Sequence, residues 1–131
     1  MSTERTKLEQ GRAAFAYQKA VEGQRIGKEY LSNIRKLPMQ IKTNGLGAAL
    51  AFAFAKGSVK GVPQTGKAWG LIYTQIEEWL KKDEKKLIIF DDNNLAYQLT
   101  KENSAVYRAV TIEVLALLSW MKRFAEGLID E

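Results

Sequence analysis

Neither cysteine nor histidine occurs among the 131 residues. Without cysteine there is no disulfide framework and no thiolate metal site. Without histidine the chain lacks the commonest general base, the Ser–His and Cys–His pairs, and the usual zinc ligands. An enzyme built on it would have to work with Asp, Glu, Lys and Tyr alone, and neither catalysis nor a cofactor is expected. Long apolar runs are also missing. The two most apolar stretches, residues 45–55 and 114–121, are too short to span a bilayer. The first ten residues are charged throughout and unlike a signal peptide, so a soluble, cytoplasmic protein without a membrane partner is expected. Strand-like runs are scarce too: residues 87–90 form one short β-prone segment, and no repeat or low-complexity tract is visible.

What the chain does have is helical periodicity. Its length fits a single domain, 1–131, able to bury its own core. Trp69, Ile72, Tyr73, Ile76, Trp79 and Leu80 make one stripe of a helix from about residue 65 to 82. Tyr30, Ile34, Leu37 and Ile41 make another across Pro38, where a kink or a fresh start is expected. A first helix over residues 3–23 is expected to bury Leu8, Ala14, Phe15, Tyr17 and Val21. The last helix, capped by Asn103 or Ser104, is expected to run to about Glu126 and stop at Gly127. Between residues 112 and 121 it is apolar on nearly every side, which places it at the centre of a bundle with Trp120 buried. Glu113 is the exception there. It calls for a basic partner, a helix N-terminus or a raised pKa. The fold expected is all-α, a compact bundle of about five to seven helices around that apolar C-terminal helix.

Charge is unevenly spread: nine basic and four acidic residues over 1–43, seven and four over 44–90, four and seven over 91–131. Arg5, Arg12 and Lys19 are spaced by seven, as are Lys28, Arg35 and Lys42, so each trio lies along one side of a helix at about 10.5 Å intervals. Two such rows would form a track for a phosphate backbone, which needs cations within reach but no base-reading geometry. Lys36, Lys122 and Arg123 add to this candidate RNA-binding set. The alternative is two solvated helix faces, since helices commonly display charge outward. The tryptophans sit on apolar stripes, so backbone contact rather than base stacking is expected.

One motif misleads. Residues 61–68 match a phosphate-binding loop at every fixed position but the last, and residues 87–92 resemble the apolar strand ending in a metal-holding acid. Ala68 stands where the pattern needs a hydroxyl for magnesium, and an alanine methyl cannot supply one. That loop must also join a buried strand to a helix, whereas residues 45–56 read as an Ala/Phe-rich helix. A flexible 57–66 linker, with Thr65 capping the next helix, is the simpler expectation.

Two runs carry a resemblance. The first is Leu37-Pro38 with Thr43-Asn44-Gly45-Leu46-Gly47 and Ala51-Phe52. The second is Glu113, Leu115-Ala116-Leu117-Leu118, Trp120 and Lys122-Arg123-Phe124-Ala125-Glu126. In this order and about seventy residues apart, they resemble the small helical subunit of the Cmr-type (type III-B) CRISPR RNA-targeting effector complex. The resemblance implies a non-catalytic subunit that stacks in several copies and joins other Cmr subunits. It also implies backbone contact with CRISPR guide and target RNA in antiviral defence. A generic helical protein-interaction adaptor is the competing reading, and a P-loop-like NTPase using Gly61 to Ala68 is a distant third.

Overall fold

The computed structural model describes residues 3–83, 85–90 and 94–130. Asp91 and Asp92, which complete the metal-holding look-alike, lie outside them. Among the described residues, six helices and one small hairpin follow in the order α1 (Glu4–Gly23), α2 (Lys28–Asn44), α3 (Leu46–Gly57), β1 (Ser58–Val59), β2 (Val62–Pro63), α4 (Ala68–Lys82), α5 (Leu95–Leu99) and α6 (Ser104–Leu128). The bundle is all-α in class, as expected.

Local chemistry sets most boundaries. Thr3 caps α1 by accepting from the Thr6 amide at 3.1 Å. Asn103 caps α6 the same way, its Oδ1 accepting from the Val106 amide at 2.9 Å. Between α2 and α3 a single residue turns the chain: Gly45 adopts φ 90°, which other residues rarely do, and serves both helix ends. Pro38, however, neither halts nor restarts α2. The helix continues through it to Asn44, because Leu37 and Ile41 are anchored in the core on either side of it.

The stripes of α2 and α4 turn inward as the periodicity predicts. Tyr30, Ile34, Leu37 and Ile41 meet Ile72, Tyr73, Ile76 and Leu80, all at most 3% exposed, in one cluster with Val114, Leu117 and Leu118 of α6. A polar knot ties three helices together inside it. The Tyr30 hydroxyl donates to Gln75 Oε1 at 2.8 Å, and Gln75 Nε2 donates to the Lys19 carbonyl at 2.9 Å. Burial pushes the Tyr30 hydroxyl above its ordinary pKa, so it stays a donor.

Helix α6 packs chiefly on α1 and α2. By length and composition it could cross a membrane, yet it carries the ion-paired Glu113 on the face that meets α1. Its apolar pattern is not buried all round: Ile112 is 69% exposed and Trp120 only half-buried. It also runs past Gly127 to Leu128. On α1 the buried face is Arg12, Phe15, Ala16, Lys19, Ala20 and Gly23, while Ala14, Tyr17 and Val21 face outward. Tyr17 instead packs edge-on against Phe124, ring centroids 5.3 Å apart.

The 57–66 segment is a folded hairpin rather than a linker. Ser58 pairs with Pro63 and Val59 with Val62, and Lys60 and Gly61 form the turn with φ 51° and 82°. Thr65 does not cap α4, which begins at Ala68 with no side-chain cap; the Thr65 carbonyl accepts from Arg25 instead. Helices α3 and α4 come together through Gly57 and Gly70: a Cβ on Gly57 would lie 2.1 Å from the Gly70 amide nitrogen. Residues 87–90 form no strand; Ile88 is buried and Ile89 is 84% exposed.

Candidate nucleic-acid interface

The two basic rows have different fates. On α1, Arg12 is buried, and its Nε and Nη2 donate to the two carboxylate oxygens of Glu113 at 2.8 and 3.0 Å while Nη1 pairs with Glu9. Lys19 is buried between Glu22 at 3.1 Å and Glu78 at 3.0 Å, its ammonium 5.0 Å from the Phe15 ring centre. Neither offers a charge to an outside ligand, so the α1 track expected from spacing does not exist. Of that trio only Arg5 is exposed.

These buried charges are well compensated. Burial alone would raise the Glu113 carboxyl, but bonds from Arg12, Lys85 and Trp79 Nε1 outweigh it and hold the pKa at about 2. The bonds to Glu113 in turn raise Arg12. Burial pulls Lys19 down, but Glu78 and Glu22 raise it further. Glu78, pushed up by burial, is drawn below the usual carboxylate range by Lys19 and Lys82. The basic partner expected for Glu113 is therefore Arg12, joined by Lys85.

On α2 the second row reaches solvent. Lys28, Arg35, Lys36 and Lys42 are all exposed, and the unbroken helix keeps Lys28, Arg35 and Lys42 on one side. Lys28, Arg35 and Lys36 line a surface groove of about 420 Å³ together with Leu31 and Ser32. Arg35 Nε donates to Glu126 Oε2 on α6 at 3.0 Å. Lys122 and Arg123 precede Glu126 by four and three residues, so they share that side of α6. Lys122 is half-buried, and the Arg123 guanidinium sits 5.8 Å from the Trp120 ring centre. The structure thus gathers Lys28, Arg35, Lys36 and Lys42 into a strip, with Lys122 and Arg123 beside it.

Sequence reasoning missed Ser32, which gives the groove a hydroxyl, and Glu126, which braces Arg35. The i, i+4 step from Lys28 to Ser32 was the available signal. No buried strand of a parallel sheet enters the phosphate-loop look-alike: only the two-residue β1 separates it from α3, β2 lies inside the motif, and this antiparallel hairpin is the only sheet among the described residues. No cluster of three acidic side chains suited to a metal occurs among the described residues.

Residues 8–128 match the family model described as CRISPR-associated protein (Cas_Cmr5). The chain is 34% identical over 122 residues to the CRISPR system Cmr subunit Cmr5 of Thermus thermophilus, covering 91% of this chain and 93% of that one. Its fold is similar to the crystal structure of a CRISPR-associated Cmr5 family protein from the same organism. The TM-score is 0.70 at 28% identity, over 94% of this chain and 98% of the other.

Proposed function

The chain belongs to the CRISPR-associated Cmr5 family, and from that premise we propose that it is a non-catalytic subunit of a type III-B Cmr effector that holds target RNA by its backbone. It assembles with other Cmr subunits, stacks in several copies and acts in the cytoplasm in antiviral defence. The observation that carries the RNA contact is the exposed cationic strip on α2, where Lys28, Arg35 and Lys36 line one groove. A run of cations at helical spacing can neutralise successive phosphates without reading sequence. Exposed apolar side chains support the protein contacts: Ile112 in the middle of α6 and Met39 on α2 are 69% and 65% exposed. The adaptor reading has no comparable feature of its own, and copurification from native lysate with CRISPR RNA and Cmr proteins separates the two.

The test replaces Lys28, Lys36 and Lys42 by Glu together, with Asp130→Asn as a control, and measures target RNA capture by the assembled complex against salt. Expected is weaker capture and a salt slope reduced by roughly 0.7 per lost contact on single strands, with unchanged thermal unfolding. Capture equal to wild type at every salt concentration overturns the RNA reading. Arg12 and Lys19 are excluded from this set because their reversal would unfold the bundle.

A further inference from the structure

Gly11 sits in the interior of α1, where the packing does not require a glycine. A Cβ built there meets no heavy atom within 4 Å, and glycine inside a helix costs about 1 kcal/mol relative to alanine. What Gly11 does is line a cavity of about 640 Å³, within the range of roughly 300–1,000 Å³ typical of small-molecule sites. The cavity has a rigid apolar floor. Trp79 is only 8% exposed, pinned by its Nε1–H to Glu113 at 2.8 Å and by Phe15 at 4.9 Å between ring centres, and Leu8 lies beside it.

Around this floor stand four cations against the two carboxylates of Glu4 and Asp83. Two of the cations, Lys82 and Lys85, bond Glu78 and Glu113. The other two, Arg5 and Lys7, are exposed on the first turns of α1 and make no ion pair among the described residues. An apolar slot opened by a missing side chain, with an unpaired cation on either flank of the first turns of α1, suits a flat ring carrying a multiply charged anion. We propose that this cavity binds a nucleotide through its phosphomonoester, the phosphate held by Arg5 and Lys7 and the base lying over Gly11 against Trp79 and Leu8. The site uses no residue of the α2 strip and stands independently of it.

The experiment follows the Gly11 amide and the Trp79 indole of the full chain by NMR during titration with uridine and adenosine 5′-monophosphate. Uridine, adenosine and inorganic phosphate alone are the controls. Both signals should move, with Kd below about 1 mM, and each half-ligand should bind at least tenfold more weakly. Binding should weaken from pH 7.5 to pH 5, as the phosphate takes up a proton near its second pKa of about 6. Gly11→Leu should abolish binding while raising the melting temperature, and the surface pair Arg5→Glu/Lys7→Glu should weaken binding at least tenfold. RNA bearing a 5′-phosphate, compared with the same RNA bearing a 5′-hydroxyl, distinguishes a strand end from a free nucleotide. The Lys28, Lys36 and Lys42 reversal should leave the titration unchanged, so failure there and failure here are separable. No movement of either signal up to several times that limit overturns the proposal, as does undiminished binding to the Arg5/Lys7 variant or equal binding of inorganic phosphate alone.

Discussion

Glu113→Gln removes one negative charge from the middle of α6 while keeping the side chain's shape. In the folded protein Glu113 is 1% exposed and takes bonds from Arg12, Lys85 and Trp79. Its pKa falls from an ordinary 4.5 to about 2, and a shift of that size corresponds to about 3 kcal/mol of stability at neutral pH. Because the folded pKa is the lower one, that stability is complete well above pH 4.5 and is lost as pH falls toward 2. The variant should therefore unfold about 3 kcal/mol more easily at pH 7, a drop of about 10 °C in melting temperature for a chain of this size. The difference from wild type should shrink to half or less near pH 3, where wild-type Glu113 begins to protonate. Urea unfolding of both proteins from pH 7 to pH 3 measures it. Arg12→Met with Glu113→Leu is the control. Removing both leaves no buried guanidinium without its carboxylate. Lys85 and Glu9, which lose a partner, are partly exposed, and only the Trp79 indole N–H stays buried without an acceptor, so the pair should cost less than the single change. A loss below about 1 kcal/mol at pH 7, or a difference that stays constant down to pH 3, would refute the reasoning.

Gly70→Ala should be among the most damaging single substitutions, costing about 3 kcal/mol. Its Cβ would lie 2.2 Å from the Gln64 carbonyl oxygen and 2.5 Å from that of Gly57, both backbone atoms that cannot step aside; thermal unfolding checks it. Lys67→Ala, by contrast, should change stability by no more than about 0.5 kcal/mol and leave RNA capture intact, since Lys67 is exposed ahead of α4. Magnesium-dependent ATP turnover by the wild type that vanishes in this variant would restore the phosphate-loop reading.

The architecture was legible where apolar spacing repeats. The inward faces of α2 and α4 follow from Tyr30 to Ile41 and from Ile72 to Leu80, because large side chains at helical period have nowhere else to go. On α1 the same reasoning was right for Phe15 and wrong for Ala14, Tyr17 and Val21. Phe15 is inside as expected, but Tyr17 and Val21 are outside, and the rest of the inner face is built from Ala16, Ala20 and Gly23 with two cations. Those small residues at i, i+4 and i+7 were a sign of close helix packing, but Arg12 and Lys19 on the same stripe read as solvated. Only contacts across 101 residues, from Arg12 to Glu113, and across 59, from Lys19 to Glu78, make them core residues. A seven-residue spacing fixes that cations share a side, and says nothing about what that side meets. Of the two basic rows, the spacing therefore matched an exposed side on α2, whereas on α1 two of its three cations, Arg12 and Lys19, are buried.

The cations on α1 also explain how such a smooth interface keeps its register. Ala16 and Ala20 present little relief to α6, and a helix packed through small side chains can slide or rotate at low cost. A bidentate guanidinium–carboxylate pair is directional, so Arg12 and Glu113 satisfy each other in only one alignment. Lys19 makes a second fix toward α4 through Glu78, and Lys85 brings the segment after α4 to the same carboxylate. Trp79 is then held by Glu113 from one side and Phe15 from the other. Three helices are thus referenced to one buried charge. This also accounts for the division of labour between the two rows. The α1 cations Arg12 and Lys19 are consumed in alignment and leave the surface to Arg5 and Lys7, while α2, whose inner face from Tyr30 to Ile41 is apolar apart from Asn33 and holds no cation, keeps its cations for whatever lies outside.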